Sequence, residues 1–355
     1  MKKLSLFLSA IVAIIVVLGL TSWRLSAANG VQTNKNTLTI FNWGEYIDPA
    51  LITKFEKQTG YHVNYMTFDS NEAMYAKVKQ GGTGYDIVVP SDYMVQKMAK
   101  ENLLVKFDPS KIKGLSNISS NLLNPEFDRG NHYSVPYFWG TLGIVYNDLY
   151  IKNPPKTWSD IWEAQYKNSI LLTDDTRDVM GMGLMATGSS VNSTNTEQVN
   201  IAYQKLLKLT PNVKGILGDE IMNYMTNNET PMAVVYSGQA AEMTASNSHL
   251  HYVIPTTTNI WYDNLAIPKT CKNLPAAYAF INFMLEPANA ADNAEYVGYS
   301  TPNEKALPLL PADVRTDKEY YPDKAVIAHD EAYTDLDNYW TGQYNDLYLQ
   351  FKMNK

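Results

Sequence analysis

Residues 38–60 read LTIFNWGEYIDPALITKFEKQTG, and the architecture can be worked out from them. An apolar run, Leu38 to Phe41, leads into a polar and aromatic cluster, then into Asp48-Pro49, a cap followed by proline at the first helical position. Apolar residues then recur at Leu51, Ile52 and Phe55, and Gly60 closes the segment. This is a strand feeding a helix. The alternation continues through HVNYMT, the helical NEAMYAKVK after Ser70, the turn GGTG, the buried-type run DIVV at 86–89 and a helix through Met94, Val95 and Met98. Later β-rich runs are LGIVYN at 142, SILLT at 169, MAVVY at 232, HYVIP at 251 and NLAIP at 264. The pattern predicts an α/β protein with mostly parallel sheets, whose ligands sit at the carboxyl ends of strands.

The chain has 355 residues, 45% hydrophobic and 18% charged, an ordinary globular composition with room for about two domains of ~100–200 residues. Residues 1–28 carry Lys2 and Lys3, an uncharged apolar stretch from Leu4 to Leu20 and small residues at Ser26-Ala27-Ala28, the pattern of a signal peptide. An uncleaved N-terminal anchor is the rival reading, since the stretch is just long enough to cross a bilayer. Either way the chain is expected outside the cytoplasm, on the periplasmic or outer face of the membrane. Residues 29–37 form a polar spacer, and no cysteine follows the apolar stretch to carry a lipid. Cys271 is the only cysteine, so no internal disulfide forms and stability rests on the core. The net charge is −7, and removal of Lys2, Lys3 and Arg24 with the export segment makes it more negative. That balance argues against nucleic acid as a partner and mildly favours cationic ligands.

Several strand-like runs end in acids, hydroxyls or aromatic rings. Asn42-Trp43-Gly44-Glu45-Tyr46 follows LTIF, Ser91-Asp92-Tyr93 follows DIVVP, and Asp174-Asp175 follows SILLT. Tyr236-Ser237-Gly238 follows MAVV, and Trp261-Tyr262-Asp263 stands beside NLAIP. One such cluster is ordinarily a helix cap or a half-buried ring; five together suggest a pocket. A pocket gathering Trp43, Tyr93, Tyr236 and Trp261 with Glu45, Asp175, Asp178 and Asp263 has apolar faces, negative charge and no obvious basic residue to balance it. Buried carboxylates need a cation. An aliphatic chain bearing several ammonium groups supplies it, because methylenes pack on rings while the charges gain cation–π and charge-assisted hydrogen bonds. A polyamine has that chemistry.

The blocks FNWGEYIDP, YDIVVPSDYMV, SVPYFWGTLGIVYN, LLTDDTRDVM, WYDNLAIP and GYSTPN, in this order, resemble the spermidine/putrescine-binding proteins, the extracellular receptors of polyamine ABC importers. The resemblance implies a two-lobed, type II periplasmic-binding-protein-like fold, with a hinge between the lobes and the ligand in the cleft between them. It implies one lobe from residues 38–139 plus 263–307 and a second from 140–262 plus 308–355, with crossings near Trp139-Gly140, Trp261-Asp263 and Leu307-Pro308. It implies aromatic walls at Trp43, Tyr46, Tyr93, Trp261 and Tyr299, ammonium-binding acids at Glu45, Asp175 and Asp263, and a hydroxyl acceptor at Ser91. Four positions depart from the family's better-known members: Gly44 replaces a threonine, Asp178 a glutamate, Tyr236 a tryptophan, and Tyr333 stands near an expected glutamine. The implied partners are the polyamine, permease subunits and a cytoplasmic ATPase, with a monomeric receptor and no cofactor.

In LLTDDTRDVM, spacing alone leaves open which aspartates act together, since 174/178 and 175/178 both share a helix face. The resemblance selects Asp175 with Asp178; Asp174 is then expected to cap the helix, and Arg177, about 200° round from Asp175, to point away from a bound cation. Other readings are weaker. Glu45 with Asp263 would suit a glycoside hydrolase, but no nucleophile or zinc motif accompanies them. Receptors for sugar or ferric iron share the architecture. His249 and His251 lack a third metal ligand nearby in sequence. Gly181-Met182-Gly183 with Gly188 is read as packing rather than a phosphate loop, and the stripe of Tyr339, Trp340, Tyr344, Leu347 and Phe351 as a helix packed on the second lobe.

Overall fold

The structure is a computed structural model that describes residues 36–323 and 325–355. The export segment, residues 1–28, and the spacer up to residue 35 lie outside the described residues. Among the described residues no helix is long and apolar enough to cross a membrane.

The opening stretch folds as its residues suggest: β1 (Thr37–Trp43) leads into α1 (Pro49–Thr59). Asp48 accepts from the Ala50 N–H at 2.8 Å, and Gly60, with φ of 75°, takes the left-handed turn that ends the helix. Next come β2 (His62–Phe68), α2 (Asn71–Gln80), the short β3 (Ile87–Val88) and α3 (Asp92–Lys100). β4 (Ser134–Asn147) then runs for 14 residues. The following half holds β5 (Ile170–Thr173), α4 (Thr176–Met185), α5 (Thr196–Leu209), β6 (Val213–Leu217), α6 (Glu220–Thr226), β7 (Met232–Tyr236), α7 (Ser237–Ser246) and β8 (Leu250–Val253). The chain returns through β9 (Ile260–Ala266) to α8 (Leu274–Met284) and α9 (Pro287–Val297), and ends with α10 (Ala312–Thr316) and α11 (Asn338–Met353).

The hydrogen-bonded order is β2-β1-β3-β9-β4-β7-β5-β6, with β8 also on β4. β1 pairs in parallel with β2 and β3, and β5 with β6 and β7, as a βαβ arrangement requires. β9 is antiparallel to β3 and β4, and β4 is antiparallel to β7 and β8. The sheets are therefore mixed rather than mostly parallel. β9 is buried along its whole length and β4 along nearly all of it, so their side chains carry no alternation that would betray direction.

β4 joins the two halves. Ser134 to Thr141 pair with β9, whereas Leu142 to Tyr146 pair with β7. SVPYFW and LGIVYN are thus one strand, and Trp261 to Asp263 lie within β9, not beside it. One core, with Leu38, Ile87, Met94, Phe138 and Phe280, holds Trp139; a second, with Ile144, Leu172, Met180 and Val234, begins at Leu142. A smaller third core lies under α6, α7 and β8, around Val145, Met225 and Met243. Tyr344, Tyr348 and Phe351 of α11 are buried in the second core, as the aromatic stripe suggests, while Tyr339 at its start is exposed. Gly183 packs on Leu206 of α5, the packing role expected of the glycine cluster. His249 and His251 both reach Asp148, at 2.9 and 3.2 Å, on the surface.

Candidate functional site

Two buried carboxyls, Asp263 and Asp178, stand near the junction of the halves. Asp263, in β9, accepts from the Tyr46 hydroxyl at 2.6 Å and from the Ser91 hydroxyl at 2.6 Å, one on each oxygen. Ser91 is held in turn by Asn71 at the start of α2, whose Nδ2 donates to Ser91 Oγ at 2.9 Å and whose Oδ1 accepts the Ser91 N–H at 3.0 Å. Burial pushes Asp263 up to about 6, against the two hydroxyl bonds that pull it down.

Asp178, in α4, accepts from the Tyr236 hydroxyl on one oxygen and from the Tyr333 hydroxyl at 2.9 Å on the other. Burial, then the neighbouring charge of Asp175, pushes it up to about 8. Asp175 precedes α4, and its Oδ1 accepts the N–H groups of Arg177 at 2.7 Å and Asp178 at 3.0 Å. Burial also raises Asp175, opposed by those two bonds.

Aromatic rings connect the two acids. Tyr46 meets Tyr299 edge-on at 5.6 Å, Tyr299 meets Trp261 at 5.3 Å, and Trp261 meets Tyr236 at 6.2 Å. Two glycines make room for these rings: a Cβ on Gly140 would lie 2.5 Å from the Trp261 ring, and one on Gly238 would lie 2.1 Å from the Tyr299 ring.

Eight of the sequence-derived residues thus form one connected network: Tyr46, Ser91, Asp263, Tyr299, Trp261, Tyr236, Asp178 and Tyr333. Asp175 joins it through the start of α4. Tyr93 joins less directly: its hydroxyl donates to Glu72 at 3.1 Å and its ring lies 5.7 Å from the Arg177 guanidinium. Trp43 is fixed by an indole N–H bond to the Val89 carbonyl at 3.0 Å and packs on Phe68, making no bond to the acids. Glu45 is exposed, in a left-handed backbone conformation with φ of 51°, and has no side-chain partner among the described residues.

Two details differ from expectation. The cap of α4 is Asp175, not Asp174. Asp174 faces α11, where it accepts from the Tyr348 hydroxyl and from Lys352 Nζ at 2.6 Å. Arg177 does not point away from the cluster. Its guanidinium stacks 4.5 Å from the Tyr333 ring and donates to the Thr334 carbonyl at 3.1 Å and to Asn192 Oδ1 at 2.8 Å. Helix angle alone misplaces it because a long side chain can fold back over its own helix end to reach rings and carbonyls of a distant segment. Asn71, which orients Ser91, is a site residue that sequence reasoning misses; its signal is its place beside the Ser70 cap, at the mouth of a strand-to-helix turn.

Chemically, this is a site that accepts charge. It offers carboxyl oxygens at two ends of a ring-lined path, hydroxyls that can donate or accept, and no lysine among the groups bonded to Asp263 and Asp178. A receptor for a cationic solute is the class of protein that such a set of acids and rings defines.

The comparisons agree with that class. Residues 50–322 match the family model described as bacterial extracellular solute-binding protein. The spermidine/putrescine-binding periplasmic protein of Salmonella typhimurium is 41% identical over 95% of this chain and 97% of its own length. That of Escherichia coli is 40% identical over 90% and 92%. A crystal structure of the spermidine/putrescine ABC transporter substrate-binding protein of Streptococcus pneumoniae is 54% identical, covers 90% of this chain and 99% of its own, and superposes with a TM-score of 0.84. The chain belongs to the bacterial extracellular solute-binding proteins, among the spermidine/putrescine-binding proteins. The Salmonella relative is named for polyamine binding and the Streptococcus one as the substrate-binding component of an ABC transporter.

Proposed function

We propose that this protein is the extracellular receptor of a polyamine ABC importer, binding spermidine, putrescine or both in its cleft and passing them to permease subunits driven by a cytoplasmic ATPase. The observation that carries this reading is the pair Asp263 and Asp178, two buried carboxyls at opposite ends of one run of rings, each raised chiefly by burial. Terminal ammonium groups of a linear amine supply the missing charge, and the methylenes between them lie along Tyr299, Trp261 and Tyr236. Tyr46, Ser91, Tyr93, Trp43 and Asp175 complete the binding set, with Glu45 as an acid at the rim.

The lobes in this reading comprise residues 38–139 with 263–307, and 140–262 with 308–355. Closure follows the ligand because acids contributed by both lobes stay hydrated or protonated in the open form and are neutralised when the cation bridges them. No bond is made or broken. The receptor acts as an exported monomer, with Leu4 to Leu20 as a signal peptide or anchor, and its negative charge gives it no purchase on nucleic acid.

The test is a thermal-shift panel of putrescine, cadaverine, spermidine, spermine, neutral sugars and ferric iron. Stabilisation by amines and by nothing else is expected. A shift with sugars or iron alone would overturn the reading.

A further inference from the structure

Two polar atoms at the junction of the halves are buried without a partner, and they are complementary: an oxygen of Asp92 (Oδ2) and the Arg177 Nε–H. Asp92 is 1% exposed at the first turn of α3, where its other oxygen accepts the Tyr93 N–H at 2.7 Å. Arg177 belongs to α4 of the other half, with its guanidinium 5.7 Å from the ring of Tyr93, the residue next to Asp92. An orphaned buried acceptor and an orphaned buried donor each destabilise a fold, so such a pair needs a reason.

The surroundings supply one. Asp92, Gln96 and Lys100 stand at i, i+4 and i+8, on one face of α3. Gln96 Oε1 accepts the Asp335 N–H at 2.8 Å, and Lys100 Nζ lies 2.9 Å from Asp335 Oδ2. The segment carrying Asp335 is tied to the second half: Arg177 donates to the Thr334 carbonyl, and Asn192 accepts the Thr334 N–H and donates to the Ala332 carbonyl, both at 2.8 Å. The stripe on α3 is therefore a row of contacts from one half to a segment anchored in the other. Its outer rung pairs a half-exposed Lys100 with the largely covered Asp335, whereas its inner rung is dry and incomplete.

We propose that Asp92 and Arg177 are a cross-cleft positioning pair, whose contact is completed as the cleft tightens and which sets how long the closed form lasts. It rests on the reading that the cleft closes on a polyamine. The pair touches no ligand: Arg177 balances a buried acid of the opposite lobe, so each lobe holds the other by charge once the rings between them are in register. Consistently, burial drives the Asp92 carboxyl far up and Asp263 adds to the rise, while the Tyr93 N–H, the Arg177 charge and the Tyr333 N–H hold it down. The other charged neighbours on this path are acids: Asp175 and Asp178, which Arg177 also faces, and Glu72, which raises Asp175 and accepts from the Tyr93 hydroxyl.

The test compares wild type with Asp92→Asn, Arg177→Gln, the double variant and Lys100→Gln. Spermidine and putrescine dissociation is followed by stopped-flow tryptophan fluorescence, and melting of the ligand-free protein reports folding. Each single change at the inner rung should speed dissociation about tenfold with little change in association, and the double variant should be no faster than the faster single, as expected of one shared interaction. Lys100→Gln should change the rate less than twofold. Dwell times of the closed form, read by single-molecule energy transfer between dyes on the two lobes without ligand, should shorten in the same order. Additive effects in the double variant, or unchanged rates and dwell times in well-folded singles, would overturn the pair. Failure of wild type to bind any polyamine would overturn the functional reading instead, leaving the dwell times to decide the pair.

Discussion

Binding should expel about one proton at pH 7. In the ligand-free cleft Asp178 is pushed up to about 8 and Asp263 to about 6. At pH 7 the first is then roughly nine-tenths protonated and the second roughly one-tenth, a total near one proton. A bound ammonium favours the ionised form of both, so the protons leave as the ligand arrives, and the raised Asp175 adds in the same direction. Affinity must therefore rise with pH through this window, by roughly fifteenfold from pH 6 to 7 from these two groups alone. The stability of the ligand-free protein should follow the opposite trend. Both acids bind protons more tightly folded than unfolded, so their contribution to stability is present at low pH and is lost as pH climbs from about 4 through about 6 and 8. Titration calorimetry at pH 7 in buffers of different ionisation enthalpy measures the release directly: observed enthalpy plotted against buffer enthalpy should have a slope near one proton, and Asp178→Asn should remove most of it. A heat independent of buffer between pH 6 and 8 would refute the assignment of these carboxyls to ammonium binding.

Asp263→Asn should weaken polyamine binding by about 2–5 kcal/mol, the range for removing one partner of a buried charged pair, and calorimetry giving an unchanged affinity would remove Asp263 from the site. Gly238→Ala places a methyl 2.1 Å from the Tyr299 ring and must displace it, so affinity should fall while the melting temperature of the ligand-free protein drops by only a few degrees. Asp174→Asn loses contacts to Tyr348 and Lys352 that are partly in water, so it should cost at most about 1 kcal/mol of stability in urea unfolding and leave ligand affinity unchanged. A marked loss of affinity there would place Asp174 at the ligand after all.

The parts of this molecule that obey local rules were legible in its sequence. Asp48-Pro49 and Gly60 mark α1 because capping is decided by the residues themselves, and the acids and rings after strand ends could be collected because such ends converge in α/β folds. Strand direction was not legible: β4 and β9 are buried on both faces, and an apolar run reads the same whichever way its neighbours point. β6 was not legible either, since Lys214 and Gly215 interrupt its apolar pattern at a sheet edge. Arg177 was misplaced because helix geometry fixes where a side chain leaves the backbone, not where four further bonds carry it. The choice of Asp175 over Asp174 as cap turned on α11, more than 150 residues away, which claims Asp174 for itself.

The raised acid at Asp178 does not weaken the case for a cation there. Stripping a proton from a group with a pKa of about 8 at pH 7 costs about 1.4 kcal/mol, one pH unit's worth. A close ammonium–carboxylate contact shielded from water returns about 2–5 kcal/mol, so the exchange of proton for ammonium still runs forward. Tyr236 and Tyr333 help at both stages. Their hydroxyls stabilise the carboxylate once it is ionised, and they pull its pKa down from where burial alone would leave it. Substituting phenylalanine for Tyr236 should therefore move the whole pH profile of binding to higher pH, rather than merely lowering affinity at every pH. A parallel downward shift of the profile would mean that the tyrosine acts only as a packing surface.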